Sequence, residues 1–274
     1  GYQLAKELAA DARIGSYAGL VVSAIFGCTL VFTIPVGMGM VPDGDRPLFA
    51  RGIMLGLTAM PVGLITGGLL SGLTLLGCLR QNLPVFALAL LLLAGLRWIP
   101  DQMVKGFCLL AEGIKVFVTA GLVLAAVESL TGWNPVPNMT PIEEAMGVVA
   151  SIGVVMLGSL PAAELLRRAL ERPLGRLGGR LGLKPESLTG MLVSLATPLP
   201  TLSMYHQLDR RGKVAAAAFL VSGASLLSAH MGFVVGTQPD MLPPLTAGKL
   251  SGALTAAVLA LWTQRRDQTA AGTR

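Results

Sequence analysis

The sequence predicts an all-α integral membrane protein. It reads as a polytopic helical bundle of about seven spans, with one re-entrant, proline-broken segment and a candidate inverted repeat. Three observations carry this. The chain is 53% hydrophobic and only 13% charged over 274 residues, with mean hydropathy +0.68, where a soluble domain carries about 25% charged residues. Its apolar residues fall in long charge-free runs, and a crossing helix needs about 20 of them. Its charges collect between those runs, so the net charge of +6 and the pI near 9.6 follow from the positive-inside rule and imply no nucleic-acid partner.

The runs follow in order. Ile14 to Pro42 and Gly52 to Leu79 hold no charged residue. Gln81 to Leu96 is shorter. Gly106 to Leu130 carries Glu112, Lys115 and Glu128; the first two are three apart on one helical face and can pair. Ile142 to Leu166 is charged only near its ends. Ser187 to Tyr205, Val214 to Gly236 and Met241 to Thr263 complete the set. Between them lie only connections, the longest being the polar stretch Arg167 to Glu186. Residues 1–274 therefore form a single polytopic membrane domain. The chain lacks an initiator Met and begins in mid-pattern, so it reads as the C-terminal portion of a longer protein.

The basic residues orient the spans. Arg167, Arg168, Arg172, Arg176, Arg180 and Lys184 crowd one connection, which the positive-inside rule makes cytoplasmic. The connection before it, "TGWNPVPNMTP", has no Lys or Arg. Alternation holds through the rest of the chain only if Ser187 to Tyr205 enters and leaves on the same side. That segment contains "TPLP", whose Pro198 and Pro200 remove amide donors and break a helix. Broken backbone at membrane depth is tolerated where it lines a cavity or is buried in protein. This topology puts sixteen of the 21 Lys and Arg inside and the C-terminus in the cytoplasm; Lys6, Arg13, Arg80 and Lys249 fall outside, and Lys115 lies within a span. It also places "KELAADAR" (6 to 13) and "HQLDRRGK" (206 to 213) on opposite sides. The spans after them share "LVVSA" and "FLVSG", the pattern of an inverted-topology repeat.

Candidate functional residues are few. No Walker, G-x-S-x-G or H-E-x-x-H sequence occurs, and His206 and His230 form no Cys/His metal set. The sequence thus points away from an enzyme and calls for no cofactor. Cys28, Cys78 and Cys108 sit in apolar runs as small buried hydrophobes. "GIMLG", "GLITG" and "GLLSG" in one span read as close-packing surfaces. "TIPVG" and "AMPVG" place Pro35 and Pro61 in mid-membrane, where each frees a carbonyl about one turn upstream. His230 is the one ionisable group of its apolar run, and an intramembrane ionisable group marks either a site or a packed neutral imidazole. Trp98, Trp133 and Trp262 fall at span ends, as an interfacial belt requires.

"LAKELA", "VFTIPVG" followed by "GDRPLFARG", "MPVGLITGGL", and "DRRGKV" with "HMGF" resemble, in order and spacing, the EutH family of ethanolamine permeases. The resemblance runs from about Leu4 to Leu254. It implies uptake of ethanolamine across the bacterial inner membrane. Family motif residues map onto Lys6, Glu7, Pro35, Pro61, Pro200, Asp209, Arg211, Gly212, Lys213, His230 and Gly232. The chain departs from the family in two places: Thr197 and Pro198 replace an Asn pair, and Ala229 replaces an Asp. Ethanolamine is a small cation with one hydroxyl. Its ammonium must exchange water for carboxylate, carbonyl or aromatic contacts. Glu7, Tyr205, Asp209 and the carbonyls upstream of Pro35, Pro61 and Pro200 are the candidates around it, with His230 for the hydroxyl and Lys6 and Thr197 as further residues of the substrate site. The expected partners are this substrate and the lipid bilayer; the sequence sets no oligomeric state. Two other readings stay open at this point: an ion-coupled symporter of another small amine or amino acid, and a non-transporting membrane scaffold or sensor.

Overall fold

The computed structural model describes residues 2–9, 11–133 and 178–272, with isolated positions between 136 and 176. The expected span Ile142 to Leu166 lies outside the described residues. Among the described residues all regular structure is helical. Among the described residues five helical segments are long and apolar enough to cross a bilayer: Ala12–Met40, Asp43–Leu70, Pro100–Thr131, Arg210–Thr237 and Pro239–Gln264. Two helices bent by 73°, Leu75–Gln81 and Leu83–Trp98, make a sixth if the pair counts as one span. The protein is a multi-pass, all-α membrane protein.

The elements are labelled in chain order. α1 is Tyr2–Leu8, and α2 is the span Ala12–Met40, wound with i→i+5 hydrogen bonds over Tyr17–Gly27 and Thr29–Thr33. α3 is Arg46–Leu70. α4 and α5 are the bent pair Leu75–Gln81 and Leu83–Trp98. α6 is Pro100–Thr131. α7 (Pro185–Ser194) and α8 (Leu199–Ser203) make up the re-entrant segment. α9 (Arg210–Gly223) and α10 (Met231–Thr237) are two parts of one interrupted span. α11 is Leu242–Gly272.

The starts of α3, α6 and α9 and the end of α3 differ from the charge-free runs, and both ends of α3 have local reasons. α3 starts at Arg46, earlier than Gly52, because Arg46 is neutralised by Asp43 at 2.9 Å and Glu112 at 3.4 Å. It stops at Leu70 because Gly72 takes a left-handed φ of 82°. The amide of Leu73 then closes onto Gly68 O at 3.1 Å, the hydrogen bonding of a Schellman stop. The next span starts at Leu75, with Thr74 as its cap, and bends where Asn82 intervenes and Pro84 starts α5. Glu112 and Lys115 pair at 2.6 Å as their spacing predicts.

The ends of the spans sort as the alternation demands. At one end Tyr2 and Ser16 both donate to Gln238 Oε1, at 3.2 and 2.8 Å. At the other end Lys213 Nζ pairs with Asp45 at 2.6 Å, the Tyr205 ring meets Phe49 edge-on at 5.8 Å, and Gln264 donates to Arg211 O at 3.3 Å. Lys249 corrects the charge count. It lies on α11 at 1% exposure, with Nζ donating to Ala24 O at 2.9 Å, and so belongs to no loop. Its long stem is buried with it, and the carbonyl replaces the water that a loop lysine would find.

The core is a slab of α3, α9 and α11, held at glycine contacts. A Cβ at Gly52 or Gly56 would lie 2.5 Å from Val214 O or 2.6 Å from Ala218 O, so α3 and α9 run parallel with backbones touching. A Cβ at Gly63 would lie 2.5 Å from Gly248 O and 3.1 Å from Gly252 Cα; one at Gly67 would lie 3.1 Å from Pro244 O. The numbers fall along α11 as they rise along α3, so this pair is antiparallel. Gly248 in turn meets Gly63 O at 2.9 Å and Gly67 Cα at 3.2 Å. Exchanging "GLITG" (63 to 67) with "GKLSG" (248 to 252) therefore maps the contacts onto themselves, as at a two-fold interface. The preceding spans match as well. Asp11 and Asp209 are both helix caps, of the segments that begin at Ala12 and Arg210. An inverted repeat requires this arrangement of counterparts.

Candidate functional site

The re-entrant segment and the interrupted span break at the same place and complete each other. α7 ends at Ser194, before Pro198 and Pro200, and leaves carbonyls without intrahelical donors. α9 ends at Gly223; Ser225 then takes a left-handed φ of 57°, which frees amides. The two sets meet. Ser225 N donates to Ser194 O at 2.9 Å, Leu227 N to Leu195 O at 2.8 Å, and Ser228 Oγ to Ala196 O. Each bond left unmade in hydrocarbon would cost several kcal/mol, so neither break is stable without the other.

A cavity of about 730 Å³ opens beside this crossing. α2 forms one wall through Gly19, Ser23, Ala24, Gly27 and Cys28. The re-entrant tip contributes Thr197, Pro198 and Leu199. The interrupted span contributes Ser225, Ser228, His230 and Phe233, and Tyr2 stands over one end. Tyr2 and Phe233 meet edge-on at 5.9 Å, and Lys6 Nζ sits 5.0 Å from the Tyr2 ring centroid. The lining is apolar with a few hydroxyls, and among the described residues no Asp or Glu is part of it. His230 Nδ1 is buried without a hydrogen-bond partner. A buried acceptor or donor left open is costly; the ring that carries it lines the cavity, although Nδ1 itself has no surface open to it.

The sequence-predicted residues divide between this cavity and its supports. Thr197 and His230 line it. Lys6 and Glu7 are exposed on α1, and Lys6 reaches the cavity only through Tyr2. Pro35 starts the last turns of α2, and Pro61 lies inside the continuous α3; neither lines the cavity. Pro200 is in the first turn of α8. Tyr205 is fully buried and donates to Lys213 O at 2.7 Å. Asp209 caps α9: it accepts from Gly212 N at 3.1 Å, Ser187 Oγ at 2.6 Å and Lys184 N at 3.2 Å. Burial alone would raise its carboxyl pKa, but these three donors outweigh burial and hold it below the ordinary value. Asp209 thus ties the start of α7 to the start of α9 and fixes the two breaks in register. The left-handed Ser225, Tyr2 and Ser23 escape notice in the sequence. "SGAS" (222 to 225) is the one signal for the second break, since Ser-Gly pairs interrupt helices. Among the described residues no three His, Cys, Asp or Glu side chains converge to hold a metal ion.

Comparison with known proteins gives a family. The model of the family described as "Ethanolamine utilisation protein, EutH" matches residues 1–263. The chain is 34% identical over 266 residues to the "Probable ethanolamine permease EutH" of Listeria monocytogenes, covering 97% of this chain and 71% of that protein. It is 36% identical to proteins of the same name from Salmonella typhimurium and Escherichia coli, covering 98% and 100% of this chain and 72% and 73% of theirs. No solved structure matches.

Proposed function

The chain belongs to the EutH family of ethanolamine utilisation proteins, and on that premise we propose that it carries ethanolamine inward across the bacterial inner membrane. Its relatives are named permeases, which supports a transporter over an enzyme. The observation that carries the reading is the cavity where two interrupted segments cross, lined by His230, whose Nδ1 is buried without a partner. Crossed broken helices near the midplane are where secondary transporters bind substrate. In this reading His230 bonds the hydroxyl of ethanolamine. The ammonium takes the hydroxyls of Ser23, Thr197 and Ser225 and the ring faces of Tyr2 and Phe233, since aromatic faces attract cations. Asp209 and Tyr205 hold the re-entrant segment in place, and Lys6 and Glu7 stand outside the cavity mouth. The end with Asp45, Lys213 and Arg211 faces the cytoplasm together with the C-terminus, as the basic connections favour.

Counterflow of labelled ethanolamine in vesicles carrying the full-length protein tests this. Preloaded ethanolamine is expected to drive accumulation of label, with choline and serine competing poorly. Absent counterflow, or serine competing as well as ethanolamine, would replace the reading with that of a scaffold or of an amino-acid carrier.

A further inference from the structure

Lys249 has no part in the contacts proposed so far, yet it sits directly behind the cavity wall. It is 1% exposed, and Nζ donates to Ala24 O at 2.9 Å. Among the described residues no carboxylate lies within ion-pair distance of it. Ala24 and Cys28, on the same wall, line the cavity, and so does His230. Both Cys28 and His230 lie within electrostatic reach of the ammonium. While it is protonated, an ammonium without a counter-ion acts over a distance, because the interior screens it poorly. The cavity is therefore positive on the side of Ala24 and His230. The Tyr2 end differs: it is built from aromatic rings and already tolerates a cation, the Lys6 ammonium.

We infer that Lys249 determines specificity: its ammonium orients an amino alcohol with the hydroxyl toward His230, and it rejects amines that carry a cation at both ends. This rests on the reading of the cavity as an amino-alcohol site and adds to it the discrimination of the far end. Methionine at 249 would fill the same space without the charge. A role confined to pegging Ala24 in place would alter rate or stability, but it would not alter the preference between two equally long ligands.

The test is counterflow of labelled ethanolamine in vesicles holding the full-length protein, with 3-aminopropan-1-ol and 1,3-diaminopropane as competitors. The two have equal length and differ in a hydroxyl or an ammonium at the far end. In the wild type the amino alcohol is expected to compete at least about tenfold better. In Lys249→Met and Lys249→Gln the gap is expected to shrink to within about threefold, while Lys249→Arg preserves it. Equal competition in the wild type, or an undiminished gap in the neutral variants, overturns the inference. The ratio is read on whatever transport a variant retains, and the wild-type arm decides alone where a neutral variant fails to fold. Absence of any ethanolamine counterflow in the wild type would instead sink the proposed function, and this inference with it.

Discussion

The slab of α3, α9 and α11 and the layer of α2, α7, α8 and α10 are built by opposite means from equally apolar sequence. In the slab, helices keep their regular hydrogen bonds, and side chains are deleted to glycine so that backbones touch. In the layer, the backbone itself is interrupted, and bonds missing from one segment are supplied by another. The slab is set by these backbone contacts, although Arg46 Nε, Arg211 Nε and Nη2 and Ser222 Oγ are buried in it without a hydrogen-bond partner among the described residues. Among the described residues the layer leaves Thr33 Oγ1 and His230 Nδ1 without a partner, and it has a cavity lined by the ring of His230. The proposed site lies where hydrogen bonding is exchanged between segments, next to the close-packed slab.

The largest effect expected on that contrast comes from filling the slab. Gly63→Leu would drive a side chain into Gly248 O, 2.5 Å from where its Cβ must lie. Overpacking of this kind costs about 3 kcal/mol or more when the obstacle is backbone. Thermal unfolding of the purified protein in detergent should show the loss, whereas Gly39→Leu, where a Cβ meets nothing within 4 Å, should unfold like the wild type.

In the layer the effects are smaller in stability and larger in transport. Ser225→Val places a β-branched residue at φ 57°, at a cost of roughly 1–2 kcal/mol. Ser225→Gly removes that strain and should stay within about 1 kcal/mol of the wild type. Substrate affinity should fall in the valine variant by more than its stability does, which side-by-side thermal unfolding and counterflow would reveal.

Asp209→Ala should cost about 1 kcal/mol, the usual value of a helix cap. Its pH dependence has a definite sign. The carboxyl pKa is held below its unfolded value, so the stabilisation is fully present above about pH 4, the ordinary Asp value, and is lost as the pH falls through the lower folded value. The stability difference between wild type and variant should be constant from neutral pH to about pH 5 and close below pH 4. A difference that grows in acid would show that Asp209 is not acting as an ionised cap.

The slab was largely legible in the sequence, and the layer only in part. Charge-free runs locate the spans because a bilayer penalises charge wherever it is unpaired. Arg46 and Lys249 escape that rule: one finds carboxylates, and the other finds a carbonyl. Gly63 and Gly67 announce a close contact but not its partner, and "GKLSG" on α11 is disguised by its lysine. The break at Pro198 and Pro200 is written in residues that lack an amide. The break at Ser225 is not, because a left-handed serine has no compositional mark and is held by bonds to Ser194 and Leu195, distant in sequence. His230 and Thr197 stood out by chemistry alone. Tyr2, Ser23 and Ser225 joined them only once the segments had crossed.

The central claim is that substrate binds at this crossing and uses His230. Equilibrium binding of labelled ethanolamine to the purified full-length protein measures it directly, in the wild type, His230→Leu, His230→Gln and Glu7→Gln. Loss of one hydrogen bond to a buried group is worth about 1–1.5 kcal/mol, so His230→Leu should weaken binding about tenfold. His230→Gln should recover part of that loss, and Glu7→Gln should bind like the wild type. Unchanged affinity in His230→Leu, or a collapse in Glu7→Gln alone, would place the substrate outside the cavity and contradict the account.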